Sequence, residues 1–303
     1  MKKVKSTTAM INSQNKTLRE VFNPQAKPVI PGSIGKAAAS KEQHTRILSL
    51  EDASFAIIDE IVNSGDFDKE DLHNDYSTLA FKMSYCHENE PCFSMACAKC
   101  ADIYSLENTK HIFTNFTAES KSVIMVDFNK HIFKDYDLVH KKFLVIRHLN
   151  ELKNKLIEHL NIKGVNDVIV GAWALEHISS VENPAANFWL PQLRLIVPKG
   201  RKTLSIIEKY MLSTSGAYIH DWVFNEPVRI VNLADTFVRF SCAFNPTWYE
   251  VPCSISLDFE LIKGEPRQLE TPFMHMALLV LNYMDWEVGG YYMDFTHYPK
   301  KLV

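Results

Sequence analysis

"GAWALEHISSVENPAANFWLPQLRLIV", Gly171 to Val197, reads as two strands joined by a polar loop. The runs 168–178 and 188–197 are apolar with aromatic and β-branched residues, and "SSVENPAAN" between them carries the Asn and Pro that interrupt regular structure. In the second strand Gln192 and Arg194 stand two apart, so both side chains leave one face of the sheet. In the first, Glu176 and His177 are adjacent, so they leave opposite faces and cannot share a metal ion. Two imidazoles at the Gln192 and Arg194 positions would hold a divalent ion. This strand offers an amide and a guanidinium instead.

Working outward, "KSVIMVDF" (Lys121 to Phe128) has the charged flanks and short apolar run of a buried strand. Between it and the strand pair, Val139 to Leu160 forms an amphipathic helix. Its stripe is Phe143, Ile146, Leu149, Leu152, Leu156 and Leu160, with Gly164 after its end. Downstream, "VPKGRK" leads into a helix around Thr203 to Leu212. Strands follow at Val228 to Leu233, Thr236 to Phe244 and Cys253 to Ile262, and a last helix spans Thr271 to Trp286. Upstream, Ile47 to about Ala80 has helical spacing, with a turn at "NSGDF". The fold class is α+β, an antiparallel sheet with covering helices and a small Cys-rich zinc-binding segment. The chain divides into a basic, flexible tail (1–45), a helical and Cys-rich region (46–120) and an α+β domain (121–303).

The net charge of −3 hides an asymmetry. Residues 1–45 carry eight Lys or Arg against two Glu, leaving 25 basic and 34 acidic residues in the remainder. A polar basic arm on an acidic body suits a nucleic-acid binder, with Lys2, Lys3 and Lys5 as phosphate contacts, although the acidic body argues against a large electrostatic footprint. The N-terminus lacks the apolar run of a secretory signal, and "MALLVL" (Met276 to Leu281) is too short to span a bilayer. The expectation is a cytoplasmic protein with no membrane partner. No Gly-rich phosphate loop or distinctive Ser, His and Asp order is present.

"YCHENEPCFSMACAKC" gathers Cys86, Cys92, Cys97 and Cys100 within fifteen residues. In a reducing compartment clustered thiols point to metal rather than disulfides, and four thiolates suit closed, tetrahedral, structural zinc. His87 replacing one cysteine, reduced buried thiols and redox chemistry are the alternatives.

The order of these features resembles the plasmid-type rolling-circle replication initiators of the HUH (His–hydrophobic–His) endonuclease superfamily. The carriers are a helical start, a Cys-rich segment ending in Cys-x-x-Cys, a strand and long helix, then "GAWALEHI" and "LPQLRLIV". In that family a strand like His-Pro-His-Leu-His binds a divalent metal, often helped by a Glu on the neighbouring strand. A Tyr, usually in a Lys-Tyr pair on a later helix, attacks the DNA phosphate. The resemblance places Glu176 at the Glu position and Leu190 at the first His, with Pro191 and Leu193 matching. Gln192 and Arg194 fall at the metal-ligand positions, and Arg239-Phe240 at Lys-Tyr. Phe240 has no phenolic oxygen, and Arg194 has no lone pair to give. The resemblance therefore implies binding without cutting and no catalytic metal.

The leading expectation is thus a DNA-binding protein, acting on single-stranded or hairpin DNA at an origin or promoter in a bacterial, phage or mobile-element context. Its contacts would be the tail, Arg194, Lys199, Arg201 and Lys202. One alternative is an active metal-dependent nickase using Glu176, with Tyr210 beside Lys209 as nucleophile. Tyr210 reads equally as an aromatic packed on the sheet, and Tyr218 and Tyr249 are weaker candidates. The other alternative is a protein-interaction scaffold. Of the scattered histidines, His148 and His159 are spaced to share a helix face.

Overall fold

A computed structural model describes residues 33–64, 69–87, 90–115, 120–180, 183, 186–214, 218–219, 222–223, 226–231, 236–244, 248–255, 261–269, 273–284 and 294–297. Lys2, Lys3 and Lys5 lie outside the described residues, as do 285–293 of the aromatic C-terminal stretch.

The N-terminal part is helical: α1 (Ser33–Ser64), α2 (Glu70–Ser84) and α3 (Ala98–Asn115). Helix α1 begins inside the segment read as tail. Its buried Gln43 and Arg46 reach across to the cysteine loop: Gln43 Nε2 donates to the Met83 carbonyl at 2.9 Å, and Arg46 to that of Ala96 at 2.7 Å. A long basic segment can look like a solvated arm in sequence. Gln43, whose hydrogen bonds span 40 and 55 positions, belongs to the folded body.

The sheet follows. Strand β1 (Lys121–Asp127) leads through α4 (Asp135–His140) and α5 (Lys142–Ile162) to β2 (Ile169–Ser180) and β3 (Phe188–Pro198). Then come α6 (Arg201–Thr214), short strands β4 (Tyr218–Ile219) and β5 (Trp222–Val223), and β6 (Val228–Ile230). The order β6-β1-β3-β2 is antiparallel at each step, which with the two crossover helices makes a split βαβ arrangement. Helix α7 (Thr236–Phe244) leads to β7 (Tyr249–Ile255), which adds to β2 in parallel, and β8 (Leu261–Lys263) and β9 (Arg267–Gln268) pair with β7. Helix α8 (Phe273–Tyr283) precedes β10 (Asp294–His297), which returns to the first residues of β2. The two long strands approach so closely that a Cβ on Gly171 would lie 1.9 Å from the Arg194 carbonyl oxygen. Only glycine fits there.

The two faces of this sheet differ in chemistry. Trp173, Leu193, Leu195, Val126 and Phe128 form the apolar face, with Trp173 and Phe128 in ring contact at 5.2 Å. The buried residues of α5 (Val145, Ile146, Leu149, Leu152, Leu156, Leu160) complete that core. Phe143 departs from the expected stripe and is 64% exposed. The helical region breaks at Lys141, so α5 starts a new phase in which Val145 takes the inward position. The second face is partly polar and carries Asp127, Glu176, Gln192 and Arg194.

Residues 236–244 form a helix rather than the expected strand. Aromatic and β-branched residues favour a strand locally, yet the buried positions Phe240, Ala243 and Phe244 repeat at helical spacing. Helix α7 packs on β1, β2, β3 and α3. Likewise the expected strand Cys253 to Ile262 starts earlier, at Tyr249, and is divided between β7 and β8, which pair antiparallel.

Candidate functional site

Pairing register builds the polar face. Asp127 and Ala174 stand directly opposite Gln192, one from each neighbouring strand, and Met125 and Ala172 stand opposite Arg194. The two alanines leave space above β2 for the long side chains of β3. Glu176 pairs with Tyr249 on the other side of β2, while Arg229 pairs with Met125.

Gln192, with no exposed surface, donates its amide nitrogen to Asp127 Oδ1 at 2.8 Å and to Glu176 Oε1 at 2.9 Å. Both amide hydrogens are thereby used, one on each carboxylate. Its carbonyl oxygen accepts the Arg194 Nε–H at 3.0 Å. Arg229 donates to Asp127 Oδ2 at 2.9 Å, and Lys263 to Glu176 Oε2 at 2.7 Å. Glu176, Gln192 and Arg194 thus converge, joined by three residues that sequence reasoning missed: Asp127, Arg229 and Lys263. Two carboxylates face three cations.

The electrostatics follow from this enclosure. Burial alone would push the Glu176 carboxyl up, but Lys263, Arg229 and Arg194 outweigh it and hold the group below the ordinary carboxylate value. Burial lowers Arg194 despite the opposing pull of Glu176, Tyr249, Cys242 and Asp127, and a guanidinium still stays charged. Burial also works against charge on Arg229, where Asp127 and Glu176 prevail and raise it. Arg194 lies with its guanidinium carbon 6.0 Å from the Tyr249 ring centre. The presence of Cys242 among its electrostatic neighbours places α7 over this same face. Phe240 is buried on that helix, and the side chain of Arg239 lies outside the described residues.

This geometry corrects one of the expected nucleic-acid contacts. Arg194 is only 5% exposed and turns inward, so it presents no surface to a phosphate. Lys199, Arg201 and Lys202 are exposed; Lys199 follows the end of β3, and Arg201 and Lys202 open α6.

Tyr210 is half-buried on α6 and stacks on His159 of α5 at 4.6 Å. It therefore lies on the apolar side of the sheet, away from Glu176, and burial raises its phenol. His148 does not share a site with His159. Its Nε2 meets Nδ1 of His131 at 3.1 Å instead. His177, on the opposite face from Glu176, is enclosed between Trp189 and Phe273 at 4.7 and 3.9 Å. Tyr218 lies on β4, with its side chain outside the described residues, whereas Tyr249 is beside the network.

The cysteine cluster is the second constellation. Cys86 follows α2, Cys97 precedes α3, and Cys100 lies in the first turn of α3. All four sulfurs lie within 4.8 Å of one another, with Cys86–Cys100 and Cys86–Cys97 at 3.5 Å and Cys92–Cys100 at 3.7 Å. A tetrahedron with metal–sulfur bonds of about 2.3 Å has edges of about 3.8 Å. The sulfurs are free thiols, not disulfides, and three of the four are buried. Hydrogen bonds from Cys100, Cys92 and Cys97 push the Cys86 thiol down against the effect of burial. Four sulfurs packed this closely can hold a metal ion such as zinc. His87 takes no part: it is exposed and faces Glu90 at 3.7 Å. Phe93, just after Cys92, adopts φ 56°, a left-handed conformation that is unusual outside glycine and marks the tightness of this loop. No described helix is long and apolar enough to cross a membrane. No protein-family profile, curated protein or solved structure matches this chain.

Proposed function

We propose that this chain is a nucleic-acid-binding protein of replication-initiator-like design whose nuclease chemistry has been replaced by an internal ion network. The observation that carries the reading is the amide of Gln192 set between Asp127 and Glu176. In the HUH resemblance this is where a divalent ion sits beside a carboxylate. Here the amide hydrogens and three fixed cations satisfy the carboxylates, which leaves no ligand set for a metal and a field that repels one. Binding is assigned to the basic residues of the N-terminal segment, acting on single-stranded or hairpin DNA. The four cysteines hold structural zinc, with no open position for a reactive water.

The test is fluorescence anisotropy with single-stranded and hairpin DNA in magnesium, manganese or EDTA, run beside an assay for nicks and covalent adducts. Binding should weaken steeply with salt, ignore the divalent ion and produce no adduct. Tyr249 stands beside Glu176 and Arg194, so Tyr249→Phe and Tyr210→Phe are both included. An adduct that either substitution abolishes would overturn the reading.

A further inference from the structure

Helix α1 has a buried side and an exposed apolar side. Leu50, Ala53 and Ile57 face the core, while Leu48, Phe55, Ile58 and Val62 are 44%, 65%, 37% and 75% exposed. At helical spacing these four fall within roughly 80° of arc and form a stripe about 21 Å long. Isolated exposed hydrophobic residues are ordinary on a protein surface. Four in register on one helix make a docking face.

Charge selects the occupant. Residues 47–64 contain Glu51, Asp52, Asp59 and Glu60 and no Lys, Arg or His. Glu51 lies within the stripe's arc, and Asp52 and Asp59 line one flank. Cationic character on this face begins only beyond Leu48, at His44 and Lys41. A second copy of α1 centred on Phe55 would bring Leu48 against Val62 and also set Glu51 against Asp59 of its mate, carboxylate against carboxylate. A basic helix would set its cations against Glu51 within the stripe and against Asp52 and Asp59 along its flank.

We propose that the exposed face of α1 is a docking site for a basic amphipathic helix of another protein, with Leu48, Phe55, Ile58 and Val62 as apolar anchors and Glu51, Asp52 and Asp59 selecting cationic flanks. This proposal is independent of nucleic-acid binding and of the ion network.

The experiment uses the full chain and two synthetic amphipathic helices of about 18 residues. Both carry the same leucine face, and one has lysine flanks where the other has glutamate. Anisotropy should show the lysine peptide binding at least about tenfold more tightly, with the preference shrinking as salt rises. Phe55→Glu combined with Val62→Glu should weaken it by about tenfold or more, with circular dichroism confirming an intact fold, because both positions are solvent-exposed. Equal affinity for the two peptides, or binding unchanged in the double variant, overturns the proposal. A wild-type dimer in sedimentation that the double variant dissolves would make a second copy the occupant and overturn it too. Binding that emerges only after deletion of residues 1–32 would assign the face to the chain's own N-terminal segment, with the same consequence.

Discussion

Replacing Gln192 by glutamate changes one donor nitrogen into an oxygen at almost constant shape. In the native network that nitrogen lies 2.8 Å from Asp127 Oδ1 and 2.9 Å from Glu176 Oε1. The variant would bring three carboxylates together in a buried site. At an effective dielectric of 20, each close pair of ionised oxygens costs roughly 6 kcal/mol, and the Arg194 contact offsets about one of the two. The uncompensated remainder exceeds the 3.7 kcal/mol or so that keeps one proton on a carboxyl at pH 7 against an unfolded value of about 4.3. The trio therefore retains a proton in the folded state. Its folded pKa is raised, so folding takes up a proton and stability falls as pH rises above the unfolded value. Urea denaturation of wild type and Gln192→Glu should differ by about 1.4 kcal/mol more for each pH unit between 5.5 and 7. A pH-independent loss of about 1.5–3 kcal/mol from the missing donor adds to this. A stability difference that stays flat across that range would falsify the convergence of Asp127, Glu176 and residue 192.

Other expectations rest on different parts of the molecule. Purified protein should contain one zinc per chain, and Cys97→Ser should remove it and lower Tm by about 10 °C or more, since metal-binding free energy at such a site is folding free energy; elemental analysis and calorimetry check both. Deleting residues 1–32, which leaves Gln43 and Arg46 in place, should weaken DNA binding evenly across sequences and flatten its salt dependence, and an unchanged slope would make the segment a bystander. Gly171→Ala should cost about 3 kcal/mol or more by denaturant titration, because β3 backbone must move away from the new methyl group.

What could be read from the sequence was what is local in it. The four cysteines lie within fifteen residues, so their proximity needed no knowledge of the fold. The strand pair carries its own loop and alternation, which is enough to put Gln192 and Arg194 on one face. The partners of Gln192 were not legible in the same way. Asp127 lies 65 residues before it, and Lys263 is 87 residues from Glu176. A lone Asp ending an apolar strand and a Lys on a short late strand carry no periodic signal of a shared site; pairing register brings them together. Helix α7 failed for the opposite reason: its composition argued strand, and burial of Phe240, Ala243 and Phe244 against the sheet decided otherwise.

That correction bears on what holds the polar face together. Residues 236–244 are a helix packed on β1, β2 and β3. On that helix an oxygen-bearing side chain at position 240 would need a polar opening, whereas Phe240 is fully buried. On the strand, Asp127 and Glu176 without donors between them would be neighbouring buried anions, a strongly destabilising state. Gln192 supplies two donors between them, and Arg194, Arg229 and Lys263 supply charge. The side chains at positions 192 and 194 therefore keep the two carboxylates in place, so Gln192→His or Arg194→His alone should lower stability before any divalent ion binds. A divalent ion at these carboxylates would first require removing cations, with Arg194 foremost because it donates directly to Gln192.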